Sequence, residues 1–96
     1  MKQIVAVRMK GGNRHEHIAG VAYIDPSTRP ISTGTLTLSG VLKLLDAGEE
    51  IVVVDSESNT VEVIRVKNVR GQRYVRTRED GVLTDNLLAL PRYELE

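Results

Sequence analysis

The 96 residues are 41% apolar and 27% charged, which gives enough Val, Leu and Ile for one domain with an aliphatic core and excludes global disorder. The absence of cysteine excludes a disulfide framework, a thiolate nucleophile and a Cys-ligated zinc site, and the absence of phenylalanine and tryptophan removes the large aromatic faces used in base stacking. The formal net charge is zero, which argues against nucleic-acid binding driven by the overall charge of the protein.

The first two predicted elements are strands joined by a glycine turn. Gln3–Met9 alternates with a period of two that is typical of a strand buried on much of both faces. The sequence Gly-Gly-Asn at 11–13 then breaks the pattern, because these residues adopt positive φ at little cost. Ile18–Ile24 predicts the second strand. Two prolines within residues 25–30 predict a loop after it.

The middle of the chain predicts one long helix. Thr37 is its expected N-cap, because a hydroxyl at this position accepts from the free N–H groups of the first turn, and Gly48 is its expected end. An apolar stripe at helical spacing predicts packing on a sheet, and it consists of Leu38, Val41, Leu42 and Leu45.

The second half of the chain is richer in strand patterns. Three further strands are predicted at Ile51–Asp55, Thr60–Val69 and Arg73–Arg78. We expect a bulge near Val63-Ile64, because the exposed charges change phase along this strand. A turn at 79–81 and one helical turn at Leu87–Leu90 complete the pattern.

These elements predict an α+β fold. The order ββαβββ leaves no room for crossovers between all strands, so we expect a mainly antiparallel, curled five-stranded sheet with one packed helix, and a barrel-like closure is left open. Residues 1–94 are predicted to form a single domain. Leu95 and Glu96 are interpreted as a possible expression-tag remnant.

Charge is unevenly distributed along the chain. Residues 1–14 and 65–78 carry Lys and Arg with no acid, whereas residues 46–62 carry Asp and Glu with no base. One interpretation pairs acidic and basic strands across a single sheet. The other gathers the first and last strands into a basic face.

The densest cluster of functional groups is the segment Gly-Gly-Asn-Arg-His-Glu-His-Ile at 11–18. On an extended backbone His15 and His17 would project to the same side, with Glu16 opposite. Two ligands do not make a metal site, and a third would have to be Asp85 or Asp80, so we predict neither a metal nor a cofactor. The alternatives are hydrogen bonding within the turn and recognition of a ligand or partner.

A second polar segment extends from Tyr74 to Pro91. Arg76 and Arg78 share a strand face with Tyr74, an arrangement suited to binding a phosphate or carboxylate. The pair Asp85-Asn86 is typical of capping. No pattern ties a hydroxyl to either histidine, and a chain of this size forms only a shallow cleft, so the enzyme class is disfavoured.

The two segments together carry a family resemblance. Residues 11–18, Tyr-Val-Arg-Thr at 74–77, Asp-Gly at 80–81 and Asp-Asn-Leu-Leu-Ala-Leu-Pro at 85–91 resemble the signature of a small family of uncharacterised bacterial and phage proteins, a domain of unknown function of the DUF3892 type. The resemblance covers nearly the whole chain and implies no activity. It implies that the two segments meet on one surface.

We therefore predict a small non-enzymatic interaction module that binds a protein partner through a polar patch. The alternative is a nucleic-acid-binding accessory protein that uses the basic strands, followed by a metal-dependent enzyme. The apolar runs are too short to span a membrane, so we expect a cytoplasmic protein, either a monomer or a homodimer paired through a sheet edge. The residues assigned to the patch are Arg14, His15, Glu16, His17, Arg76, Arg78, Asp85 and Asn86.

Overall fold

Seven strands form one mixed sheet in the computed structural model, which describes residues 1–93. The order across the sheet is β3-β2-β1-β4-β5-β6-β7, and β1 and β4 are parallel while the other neighbouring pairs are antiparallel. One α-helix and one 3-10 turn complete the fold. The elements are β1 Lys2–Met9, the 3-10 turn His15–His17, β2 Ile18–Asp25, β3 Ser32–Thr37, α1 Leu38–Asp46, β4 Ile51–Val54, β5 Thr60–Lys67, β6 Arg73–Glu79 and β7 Val82–Thr84.

The prediction of a mainly antiparallel five-stranded sheet is wrong, because the sheet is mixed and has two further strands, β3 and β7. Both lie at the ends of the sheet, where only one side of a strand is paired. An edge strand needs no continuous apolar pattern, and β3 reads Ser-Thr-Gly-Thr-Leu-Thr. The sheet is open between these two ends, so the barrel-like closure is not seen.

Helix α1 follows the predicted pattern. Thr37 is its N-cap, and the Thr37 hydroxyl accepts a hydrogen bond from the Gly40 N–H at 3.2 Å. Val41 is fully buried in the stripe that faces the sheet. The helix ends at Asp46, and Gly48 follows with a φ of +85°, the left-handed conformation that glycine adopts most readily.

The bulge predicted near Val63-Ile64 is absent, because β5 pairs with β6 in one continuous register. Val61 and Val63 are buried, whereas Arg65 lies on the same face of β5 but is exposed beside Asp46, the last residue of the helix. There its Nη1 atom is 2.6 Å from an Asp46 carboxylate oxygen. The phase change in the charges therefore marks the limit of the core rather than an inserted residue. The register irregularities lie in the pairing of β1 with β2.

The end of the described chain returns to the first strand. The Val7 N–H donates to the Pro91 carbonyl oxygen at 3.0 Å, and the Tyr93 N–H donates to the Val7 carbonyl oxygen at 3.1 Å. This short parallel contact extends beyond β4, which pairs with β1 only at Lys2 and Gln3. It anchors the preceding segment, which contains the second signature motif, near the start of the chain.

One cluster of buried residues forms the core, drawn from the sheet, α1 and Leu87. No helix within residues 1–93 is both long enough and apolar enough to cross a membrane. The two residues interpreted as a tag remnant lie outside the described residues. Fully buried core positions include Ile4, Val7, Ile18, Val21, Val41, Val53 and Val75.

Candidate functional site

The 3-10 turn His15–His17, called the HEH turn below, carries the first signature segment. Its geometry is fixed locally, since the Arg14 N–H donates to His17 Nδ1 at 3.2 Å and the His17 N–H donates to the Arg14 carbonyl oxygen at 2.9 Å. A methyl group at Gly12 would lie 2.6 Å from His17 Nδ1, so the ring packs on a bare backbone. In a 3-10 turn residues two apart point in different directions, so the expectation that His15 and His17 project to one side is wrong.

The HEH turn packs against β6 through His15, whose exposed fraction is 8%. The Nε2 atom of His15 is 3.6 Å from Asp85 Oδ1, beyond hydrogen-bonding distance. Arg76 on β6 donates through Nη2 to the same Asp85 oxygen at 3.0 Å. Within the described residues, His15 Nε2 and Arg76 Nε have no hydrogen-bond partner. The structure therefore brings three predicted site residues together, and we call them the His15 cluster.

The environment of His15 favours its neutral form. Burial is the main cause that lowers the pKa of His15 below its ordinary value of 6.5, and the nearby Arg76 guanidinium lowers it further. The carboxylates of Asp85 and Glu16 act in the opposite direction and offset part of this decrease.

Asn86, another predicted site residue, belongs to a partly buried polar network. Thr77 is fully buried on β6, and its hydroxyl accepts from the Asn86 N–H at 3.2 Å. The Thr77 and Thr84 hydroxyl oxygens are 2.7 Å apart, and the Thr84 hydroxyl donates to Asn86 Oδ1 at 2.5 Å. These bonds join the β6–β7 hairpin to the segment that follows it, so Asn86 has a clear structural role.

An open groove of about 390 Å³ lies beside the HEH turn, and we call it the signature groove. One wall is the β5–β6 hairpin loop, in which Asn68 Oδ1 accepts from the Arg70 N–H at 2.9 Å and from the Gln72 N–H at 3.0 Å. The Gln72 side chain donates to the Glu16 carbonyl oxygen at 3.3 Å and joins the two walls. The lining residues are Arg14, Glu16, His17, Asn68, Val69, Arg70 and Gln72.

The contribution of the hairpin loop to this groove was not predicted from the sequence. The sequence predicts only the two strands on either side of residues 70–72, and Gly71 adopts a φ of +84° between them. The signal that could have drawn attention to the loop is Asn68, because an asparagine at the start of a hairpin loop commonly accepts from backbone N–H groups further along it. Its side chain orders the loop and thereby shapes the groove.

Arg78, the remaining predicted site residue, lies at a different cavity. This larger cavity of about 590 Å³ is lined by Glu49, Glu50 and Glu62 as well as by Arg65 and Arg78. The Arg78 Nη2 atom donates to Glu62 Oε1 across the strand pair at 2.7 Å. Arg78 therefore does not join the HEH turn in one patch.

Most of the basic block at 65–78 is engaged by acids. Arg65 and Arg73 both donate to the Asp46 carboxylate, at 2.6 and 2.7 Å, and this lowers the pKa of Asp46. Arg76 binds Asp85 and Arg78 binds Glu62, as described above. Among these pairs only Arg78–Glu62 joins two neighbouring strands, since Asp46 ends α1 and Asp85 follows β7, so cross-strand pairing of acidic and basic residues accounts for that pair alone.

The described residues contain no group of three or more His, Asp or Glu side chains placed to hold a metal ion. Of the two candidate third ligands, Asp85 lies 3.6 Å from His15. The other, Asp80, lies in the β6–β7 turn with a φ of +52°. Within residues 1–93, neither imidazole is hydrogen bonded to a Ser or Thr hydroxyl.

Comparison with known proteins identifies one family. Residues 3–91 match the family described as "Protein of unknown function (DUF3892)". Neither the curated proteins nor the solved structures gave a match. The matched range contains the HEH turn, the hairpin loop and the Asp85-Asn86 segment, so the family pattern includes the entire candidate site.

Proposed function

Because this chain belongs to the DUF3892 family, whose description names no activity, we propose a function from the surface itself: the protein is a small non-enzymatic interaction module that binds a protein partner through the signature groove. The groove joins the first signature segment to the β5–β6 hairpin loop. We place this activity in the cytoplasm, a reducing compartment that suits a cysteine-free chain.

The observation that carries the proposal is that hydrogen bonds hold both walls of an exposed groove in place. Asn68 orders one wall, the bond from Arg14 to His17 orders the other, and Gln72 connects them. A surface that is already ordered loses less conformational entropy when a partner binds. The groove residues lie outside the hydrophobic core, so the hydrogen bonds that order them do not serve to bury apolar surface.

The chemistry of the groove favours a partner segment that carries carboxylates. Arg14 and Arg70 each present a guanidinium, His17 contributes a ring, and Glu16 is the one carboxylate in the lining. Guanidinium groups form two parallel hydrogen bonds with carboxylates, which gives direction as well as energy. Val69 is fully exposed at the loop tip and offers a small apolar contact beside the charges.

The His15 cluster lies next to this surface. His15 is buried against β6, while its neighbours in the same turn, Arg14 and Glu16, line the groove. The Arg76–Asp85 ion pair lies beside the imidazole, and we infer that packing of the ring against this pair sets where the groove residues are presented. We assign His15, Arg76 and Asp85 as positioning residues and the groove residues as the binding surface.

Nucleic-acid binding, the alternative function, has less support from the geometry. Nucleic-acid binding depends on many phosphate contacts by free cations, and most arginines of the basic block bind carboxylates instead. The groove itself offers two arginines. This favours a short acidic peptide segment over a long polyanion.

The proposal can be tested by NMR titration of the ¹⁵N-labelled chain with a short peptide of alternating Glu and Ser, in parallel with the same peptide carrying Gln for Glu. We expect amide shifts at Arg14, Arg70 and Gln72, and an affinity for the Gln peptide about tenfold weaker or more, because charge-assisted bonds are lost. Arg14→Ala and Arg70→Ala should each weaken binding about tenfold. Arg78→Ala is the matched control and should not.

Three results would contradict the proposal. Equal affinity for the two peptides would show that carboxylates are not recognised. Shifts confined to the larger cavity around Glu49 and Glu62 would place the binding surface elsewhere. Binding of a short DNA duplex at low salt that falls steeply at physiological salt would support the nucleic-acid function instead.

A further inference from the structure

Strand β3 forms one end of the sheet and has an unusual composition for an edge. It spans Ser32–Thr37 and pairs with β2 through six consecutive residue pairs without a register shift. It contains no charged residue and no proline. Natural edge strands are usually protected by charges, prolines, bulges or short length, and β3 has none of these.

The backbone of β3 is ordered by contacts at its start and along its paired side. The Ser32 N–H donates to the Thr28 hydroxyl at 2.8 Å, which fixes the start of the strand. At the centre, the Tyr23 ring of β2 covers Gly34, and a methyl group there would lie 2.9 Å from the Tyr23 hydroxyl. An aromatic ring over a cross-strand glycine stabilises such a pair. The free edge is therefore ordered for pairing over roughly 20 Å, the length of six extended residues.

We propose that β3 pairs with β3 of a second copy of this chain, antiparallel and about a twofold axis beside Thr35. This register places Thr33 of one copy opposite Thr37 of the other and the two Thr35 residues opposite each other. All three side chains are exposed and alternate along the strand, so they share one face. The two sheets then become one continuous sheet across the dimer.

Charge and composition favour a second copy over a different partner strand. A twofold antiparallel pair brings each central residue against its own counterpart, so a charged residue there would repel itself, whereas paired threonines hydrogen bond. The strand carries no charge that would select a charged foreign strand. The formal net charge of zero also leaves no overall repulsion between copies.

The expected dimer is weak and depends on concentration, since one strand pair buries less surface than a standard interface of roughly 1,200–2,000 Å². Sedimentation velocity from about 10 μM to about 1 mM should show the apparent mass rise from 10.6 kDa toward twice that value. A mass that stays at the monomer value over the whole range would overturn the proposal.

Charge-swap variants locate the interface. Thr35→Lys and Thr35→Glu place like charges directly opposite each other, so each protein alone should be monomeric over this range. An equimolar mixture of the two should recover a dimer, because Lys then faces Glu. Thr60→Lys changes an exposed threonine on an internal strand and should dimerise as the unmodified chain does. Circular dichroism verifies that all variants fold.

A dimer that survives both Thr35 substitutions, or a mixture that stays monomeric, would overturn the β3 assignment. The Thr35 variants should still bind the acidic peptide, because the signature groove contains no residue of β3. Failure of the dimer and failure of the groove are therefore observed separately.

Discussion

The two edges of the sheet end in opposite ways. The β7 edge is three residues long, and the chain after it folds back so that Leu87 is fully buried and Asn86 bonds to Thr77 of β6. The HEH turn also packs on β6. The β3 edge is six residues long and uncharged, and its outer side pairs with no other strand of the described chain.

This difference separates the residues that determine folding and binding from those that determine association. At the covered edge the HEH turn and the Asp85-Asn86 segment both contact β6, where polar groups are buried, so most substitutions there should affect folding and the binding surface together. The open edge presents backbone groups and threonine side chains, so substitutions there should affect association and leave the fold intact. Substitutions on the covered edge test this difference.

Leu87→Ala should cause the largest loss of stability on the covered edge. The side chain is fully buried, and truncation leaves a cavity, which costs about 2–5 kcal/mol of unfolding free energy. Leu83→Ala on β7 is the matched control, since Leu83 is 43% exposed, and it should change stability by about 0.5 kcal/mol or less. Urea denaturation measures both. Similar losses of unfolding free energy in the two variants would show that packing of the segment after β7 does not stabilise this edge.

Thr77→Val should cost about 1–3 kcal/mol, because the Asn86 N–H would lose its acceptor inside the protein. The two side chains have nearly the same shape, so the loss reports the hydrogen bonds rather than packing. Thr60→Val is the control, because Thr60 is an exposed strand residue and the change should be close to neutral. If Thr77→Val is also neutral in urea denaturation, the network does not stabilise the hairpin.

The sequence predicted the elements of the core better than those of the edges. The capped helix at Thr37 and the strands containing Val7, Val21, Val53 and Val75 were predicted within a few residues, because buried strands and helices have periodic apolar patterns. Strand β3 was missed because it is half-paired and mostly polar. The parallel contact of β1 with β4 was missed because it joins segments that are distant along the chain.

The candidate site was harder to predict for the same physical reason. The segment His-Glu-His is too short for its residue pattern to distinguish an extended strand from a 3-10 turn. In the structure it forms the 3-10 turn, and the His17 ring packs on Gly12. The engagement of Arg78 by Glu62 depends on strand register, which local sequence does not reveal. Tertiary contacts therefore separated a single predicted patch into the signature groove, the His15 cluster and the Arg78–Glu62 salt bridge.

Acidification should weaken the covered edge through His15. Its pKa is lowered in the folded protein, so the unfolded chain takes up a proton first, and stability should fall as the pH drops below the ordinary value of 6.5. His15→Gln should remove this part of the pH dependence. Thermal unfolding between about pH 7.5 and pH 5 is the measurement, a range above the ordinary carboxylate pKa values. Equal slopes in both proteins would contradict the role assigned to burial.

Gly12→Ala should have the smallest effect on stability and a specific effect on the groove. The added methyl group would lie 2.6 Å from His17 Nδ1, so the ring must move and release the Arg14 N–H that bonds to it. We expect faster hydrogen exchange at the Arg14 amide and weaker binding of the acidic peptide, with little change in the unfolding midpoint. Gly81→Ala is the comparison for peptide binding, because a Cβ atom there would contact nothing within 4 Å although its φ of +81° strains any side chain. Unchanged hydrogen exchange at the Arg14 amide would mean that the HEH turn keeps its shape without Gly12. The shape of the signature groove would then depend on the hairpin loop alone.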